Sequence, residues 1–233
     1  MPKFAVYYIP PADSLFYQRG SEILGYDVRT GEFLPQDNVT RAQLPEFDEC
    51  WVEQPQTYGF HVTTGYSLYF EQDNLPAIEA EMESVCRCFG DVEFLLEPQE
   101  EHLKFWKDTI VVLHYRPNIH MAMLHTMLTA RVNPYGTSSN VTQRYAEKAS
   151  DEINPTLLHR VAKYHTPYML DGWNPHFTLM MPYEGKQRTA MTSALLDLFD
   201  HNPISVESIC LLYKEDGETH YRLHREYQLA DYR

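Results

Sequence analysis

Twice along this 233-residue chain the order strand, helix, strand, strand recurs, and each time the first strand carries a histidine followed two residues later by a threonine. The first copy opens on an apolar strand over 58–68. A helix over about 75–89 follows, with Leu75, Ile78, Met82, Val85, Cys86 and Phe89 on one face, and then extended segments at 92–97 and 109–115. The second copy opens on a strand over 175–181. Its helix runs to about Phe199 with Met191, Ala194, Leu195 and Leu198 aligned, and a hairpin over 204–213 and 221–229 turns at Asp216-Gly217. This repetition predicts one α+β domain over 1–233 with two pseudo-symmetric lobes, motif 1 near 58–68 and motif 2 near 173–183.

The remaining segments fit around that pattern. Phe4 to Ile9 reads as a buried strand stopped by Pro10-Pro11, and Asp13 or Ser14 caps a helix running to about Gly25. Residues 26–57 mix Gly, Pro, Asp, Asn and Gln and read as a long irregular loop, of a length that is often a lid. Between the copies, one helix is predicted over about 119–128. A second has Asn154 as N-cap, Pro155 in its first turn, and Leu157, Leu158, Val161 and Ala162 inward.

Random placement of the chain's histidines and threonines yields about one His-x-Thr match, so either match alone carries nothing. The signal is their equivalent placement, with an aromatic, Tyr58 or Trp173, three residues before each histidine. Strand side chains alternate, so His61 and Thr63 share one face with Phe60 and Val62 behind, and His176 and Thr178 share one with Phe177 and Leu179 behind. Two imidazoles facing each other make an acid–base pair near neutral pH, and two hydroxyls can donate to phosphate oxygens. That chemistry fits opening of a phosphodiester, favourably a strained cyclic one, and needs no metal or other cofactor. Tyr7, Tyr58, Trp173 and, at the rim, Tyr183 are the candidate substrate-binding aromatics.

With 19 Lys and Arg against 33 Asp and Glu, the net charge is −14. That disfavours DNA, long RNA and anionic membrane surfaces as partners and favours a small substrate. Met1 to Pro10 has no apolar signal region, no segment is long and apolar enough to span a bilayer, and four cysteines form no disulfide framework, so a reduced, cytoplasmic protein is expected, as a monomer. Cys86 and Cys88 diverge on a helix, His220 and His224 share a strand face without an acidic partner, and no zincin, P-loop, dinucleotide or serine-hydrolase motif is present. Lys186 and Arg188 read as a solvated helix start.

The paired motifs resemble the two-histidine (2H) phosphoesterase superfamily, which includes LigT-like RNA ligases and cyclic phosphodiesterases. The likeness is closer to a bacterial branch associated with phosphonate metabolism. It runs through Tyr7-Tyr8-Ile9-Pro10-Pro11, Leu24-Gly25-Tyr26-Asp27, Tyr58-Gly59-Phe60-His61, and Thr166-Pro167-Tyr168-Met169-Leu170 to His176-Phe177-Thr178-Leu179. The resemblance implies a bilobal duplicated fold of two antiparallel sheets forming a cleft, with helices outside. It implies His61 and His176 as acid and base and Thr63 and Thr178 as phosphate ligands. The expected function is a cyclic phosphodiesterase acting on a 2′,3′-cyclic nucleotide, an oligonucleotide or short RNA end, or a ribosyl cyclic phosphate. The alternatives are a non-catalytic nucleotide-phosphate binding module and an RNA 2′–5′ ligase.

Overall fold

A computed structural model describes residues 1–137, 143–144, 146–147 and 154–229. The apolar run after Met1 forms β1 (Lys3–Tyr8), and Pro10-Pro11 end it because proline cannot donate to a ladder. Ser14 then caps α1 (Leu15–Leu24) by accepting from the Tyr17 amide, and Gly25 closes it in the left-handed region at φ 73°. Residues 26–57 are more ordered than expected. They hold the short strands β2 (Tyr26–Asp27) and β3 (Glu32–Phe33), two 3₁₀ turns and α2 (Glu53–Gln56). Arg41 fastens this segment to the end of α1 through the Ile23 carbonyl, and the Trp51 carbonyl accepts from Met181 beyond the second motif.

The first motif strand is β4 (Val62–Tyr69), followed by α3 (Leu75–Cys86), β5 (Leu95–Trp106) and β6 (Ile110–Pro117). Next come α4 (Ile119–Val132), capped by Asn118, and α5 (Pro155–Tyr164), whose Asn154 cap and leading proline match the sequence expectation. The second motif strand is β7 (His176–Met180), followed by α6 (Arg188–Leu198), β8 (Ile204–Ser205), β9 (Ser208–Lys214) and β10 (Arg222–Gln228). The α3 face formed by Ile78, Met82, Val85 and Cys86 and the α6 face formed by Met191, Leu195 and Leu198 are buried, which is what the 3.6-residue spacing requires.

Two four-stranded antiparallel sheets result, ordered β10-β9-β1-β4 and β7-β6-β5-β8, so the chain is α+β. The chain crosses between them after each motif. β5 and β6 follow β4 in sequence but join the β7 sheet, and β9 and β10 follow β7 but join the β4 sheet. Each motif strand is left at the edge of its sheet, and the two edges meet, β4 against β7.

The apolar backs of the motifs lock this arrangement. Phe60 stacks on Phe177 at 4.6 Å between ring centres, Phe199 lies nearly parallel to Phe60 at 5.9 Å, and Phe16 meets Phe177 and Phe199 edge-on. α1 comes this close because it carries Gly20, where a Cβ would sit 2.3 Å from the Phe60 ring. No helix among the described residues is long and apolar enough to cross a membrane.

Candidate active site

Both motif strands are irregular at the same place. β4 pairs Thr63 with Tyr7 and Gly65 with Val6, leaving Thr64 as an extra residue, and β7 pairs Thr178 with Val112 and Met180 with Val111, leaving Leu179 extra. The residue after each motif threonine is therefore a bulge, a device that bends a strand and re-aims its side chains. Thr64 and Leu179 are buried, and the Thr64 hydroxyl donates to the Val6 carbonyl across the bulge.

The two histidines are held in the same way. His61 Nδ1 lies 2.9 Å from the Gly59 carbonyl oxygen, and His176 Nδ1 lies 2.7 Å from the Asn174 carbonyl oxygen, each two residues upstream. A carbonyl only accepts, so each Nδ1 carries a proton and each neutral ring keeps its lone pair on Nε2. His61 Nε2 is 3.1 Å from the Thr63 hydroxyl, which in this tautomer donates to it. The turn that presents the Gly59 carbonyl needs φ 71°, and a Cβ there would lie 2.5 Å from Val28 Cβ. Only glycine meets both demands.

Aromatic rings enclose the imidazoles. Tyr7, reaching over from β1, stacks on His61 at 3.5 Å between ring centres and 16° between planes, and Tyr58 meets it edge-on at 5.2 Å. The Tyr58 hydroxyl interacts with Thr178, so motif 1's leading aromatic touches motif 2's threonine. Trp106, at the end of β5, meets His176 at 4.4 Å. Burial, with a smaller contribution from the nearby His176, pushes His61 down from 6.5 to about 3 against the opposing Gly59 hydrogen bond. Burial pushes His176 down to about 4, with His114 adding to the effect. Both are neutral at pH 7. No known protein-family model and no curated protein matches this chain.

His61, Thr63, His176 and Thr178 are thus gathered with Tyr7 and Tyr58. Tyr7 is buried and is committed to the His61 face. Trp173, expected to stack on a ligand, is 8% exposed and serves as a strut: its ring lies parallel to His125 of α4 at 4.1 Å, and its Nε1–H donates to the Thr63 carbonyl at 3.0 Å. Tyr183, expected at the rim, is buried beyond the far end of β7 from His176. Its hydroxyl donates to Glu46 at 2.9 Å and its ring packs on Trp51 and Phe105. Arg188 sits at that same end, paired with Asp108 and lying over Phe105.

Residues near the pair that the sequence did not single out are Trp106, His114, Asn174 and His125. His114 is the direct register partner of His176, a relationship visible only once β6 and β7 are paired. Cys86 is buried and Cys88 exposed, diverging as expected, and no three His, Cys, Asp or Glu among the described residues are grouped to hold a metal ion. The expected common face of His220 and His224 is lost, because His220 precedes β10 and His224 is itself the extra residue of a bulge against β9. The site offers two Nε2 atoms, each able to take up or release a proton, beside two hydroxyls: equipment for moving protons on and off a polar ligand.

Proposed function

We propose that this chain is a phosphodiesterase of the two-histidine type that opens a small cyclic phosphate without a metal ion. The observation that carries the reading is the matched pinning of His61 and His176. Both give Nδ1–H to the carbonyl two residues upstream and keep Nε2 for chemistry. The matching bulges after Thr63 and Thr178 support an internal duplication of the 2H kind.

In this reading the cyclic diester lies between the threonine hydroxyls, and Thr63 turns from His61 Nε2 to a phosphate oxygen. The anion favours an imidazolium next to it, which raises the proton affinity of one histidine against the cost of burial. Water attacks phosphorus while the neutral Nε2 takes its proton. The bond from phosphorus to the leaving ring oxygen breaks as the other imidazolium gives that oxygen a proton. One water is consumed, one monoester forms, and solvent returns the proton from one histidine to the other. The acidic net charge favours 2′,3′-cyclic nucleotides, oligonucleotide ends or ribosyl cyclic phosphates over long RNA, and the reverse reaction would join RNA ends through a 2′–5′ bond.

A second reading, a nucleotide-phosphate sensor without turnover, is favoured by one feature: before a ligand arrives burial keeps both imidazoles neutral, and neither holds a proton on Nε2 to donate. Phosphorus NMR of EDTA-treated protein with a panel of cyclic phosphates separates the two. Conversion of one member to a single monoester is expected. Tight binding by calorimetry with no product across the panel would establish the sensor instead.

A further inference from the structure

The two histidines are alike in their Nδ1 contacts and unlike in everything else around them. His61 lies flat against Tyr7, and its Nε2 lone pair already accepts the Thr63 hydroxyl proton, an arrangement that only the neutral ring can make. His176 is half-buried, and Trp106 meets it at 4.4 Å with 66° between the ring planes. The indole packed edge-to-face fixes the orientation of the His176 ring, and because His176 keeps more solvent around it than His61, which is 8% exposed, its charged form loses less hydration. Beneath His176 lies a second histidine. His114 Nε2 is hydrogen bonded to the side-chain oxygen of Asn174, whose main-chain oxygen receives His176 Nδ1–H. Trp106 also touches His114 edge-on, at 5.6 Å. No equivalent chain stands behind His61, where the accepting residue, Gly59, has no side chain.

Resting on the two-histidine reading, we infer that His176 is the more readily protonated imidazole and hence the proton donor of the pair. Trp106 and the His114–Asn174 hydrogen bond are the positioning residues that give it this role, and His61 is the base. The titratable groups facing His176 are His61 beside β4 and His114 on β6; Lys104 and Glu101 on β5 act on His114 and oppose one another there. α1 meets β7 through Phe16 on Phe177, the face away from His176, and the charged residue of α2, Glu53, is exposed. Burial limits both imidazoles, less so the half-buried His176. His114 disfavours charge on it only when His114 is itself protonated, which its own burial opposes, so its hydrogen bond to Asn174 is what counts near neutral pH.

Histidine ring NMR reads the order of protonation directly and without turnover. The protein is titrated with saturating sulfate present as a phosphate-like anion, and His61→Gln and His176→Gln assign the signals. His176 is expected to titrate above His61. Trp106→Leu is expected to lower the His176 midpoint and leave His61 in place, because a looser ring loses the Nδ1–H contact to the Asn174 carbonyl that favours its charged form. His114→Ala is expected to lower it too, and His114→Gln, whose amide can still donate to Asn174, to restore it. Trp106→Phe, which keeps a ring, is the milder variant if the leucine variant does not fold.

His61 titrating above His176, or both midpoints moving together or not at all in the Trp106 variants, would overturn the assignment. With a turned-over substrate, the high-pH limb of kcat/KM, which follows the acid, should move down in the same variants. Absence of turnover on any substrate would remove the proposed reaction while the NMR order of the two histidines stood or fell by itself.

Discussion

The indole nitrogen of Trp173 and the carbonyl oxygen of Thr63, 110 positions apart in sequence, are joined by a 3.0 Å hydrogen bond that ties the residue before motif 2 to the strand of motif 1. His125, stacked under the same indole, donates its own Nδ1–H to the next carbonyl, that of Thr64, at 3.0 Å. Two parallel rings thus grip consecutive carbonyls at the β4 bulge. The spacing between the two histidines is set by this grip on one side and by the Phe60–Phe177 stack on the other.

Trp173→Phe keeps a ring over His125 and removes the N–H. Stability in urea should fall by about 1 kcal/mol, the cost of a lost buried hydrogen bond, and turnover should fall with it as the motifs lose their spacing. A variant with unchanged stability and only a raised KM would instead mark Trp173 as a ligand-stacking residue.

The pH dependence follows from the depressed histidines. Activity needs one imidazole protonated and one neutral, and kcat/KM reports the free protein. With His61 at about 3 and His176 at about 4, singly protonated protein is most abundant well below neutrality, so the kcat/KM optimum should lie on the acid side. Bound phosphate favours the imidazolium, so the kcat profile should be displaced to higher pH. A pH-rate series checks both, and a kcat/KM optimum above neutrality would contradict the assignment.

Stability should fall on acidification for the same reason. Burial lowers His61, His125 and His176 from 6.5 to about 3, 4 and 4. Below about pH 6.5 the unfolded chain takes up protons that the folded chain refuses, so stability is intact above that value and is lost as pH falls toward about 4. The melting temperature should drop between about pH 7 and pH 4.5, and drop less in His125→Gln, where one of the three groups is gone. A flat profile for the unsubstituted protein would count against neutral buried imidazoles.

Tyr58→Phe removes the hydroxyl that reaches from motif 1 to Thr178. Global stability should change by less than about 1 kcal/mol while kcat/KM falls roughly tenfold, since the phosphate-binding threonine loses its polar neighbour. Steady-state kinetics beside urea denaturation separates this outcome from a general loosening.

Much of this site was legible because it depends on local rules. Strand alternation alone places His61 with Thr63 and His176 with Thr178, and Asn154-Pro155 marks a helix start wherever it occurs. The elements that escaped are those whose placement depends on distant partners. β5 runs on to Trp106, well past the expected end at 97, through Pro98, Glu100 and Glu101, and its register slips between Pro98 and Leu103, so no simple alternation shows. Trp106 was hidden with it. The exchange of hairpins between the sheets leaves no trace in periodicity, because β5, β6, β9 and β10 carry the same patterns whichever sheet receives them. Trp173 and Tyr183 look like free aromatics in sequence, and only the Thr63 carbonyl and Glu46 reveal what they hold.

The most direct test of the central claim is the single-turnover rate, in EDTA, of the best cyclic phosphate substrate with unsubstituted protein, His61→Ala and His176→Ala. Positioned acid–base groups contribute on the order of 10² or more each, so either replacement should slow ring opening at least that much. The double variant should be little slower than either single one, because the two act as a unit. Ring opening at the unsubstituted rate in either single variant would show that these imidazoles do not carry the reaction.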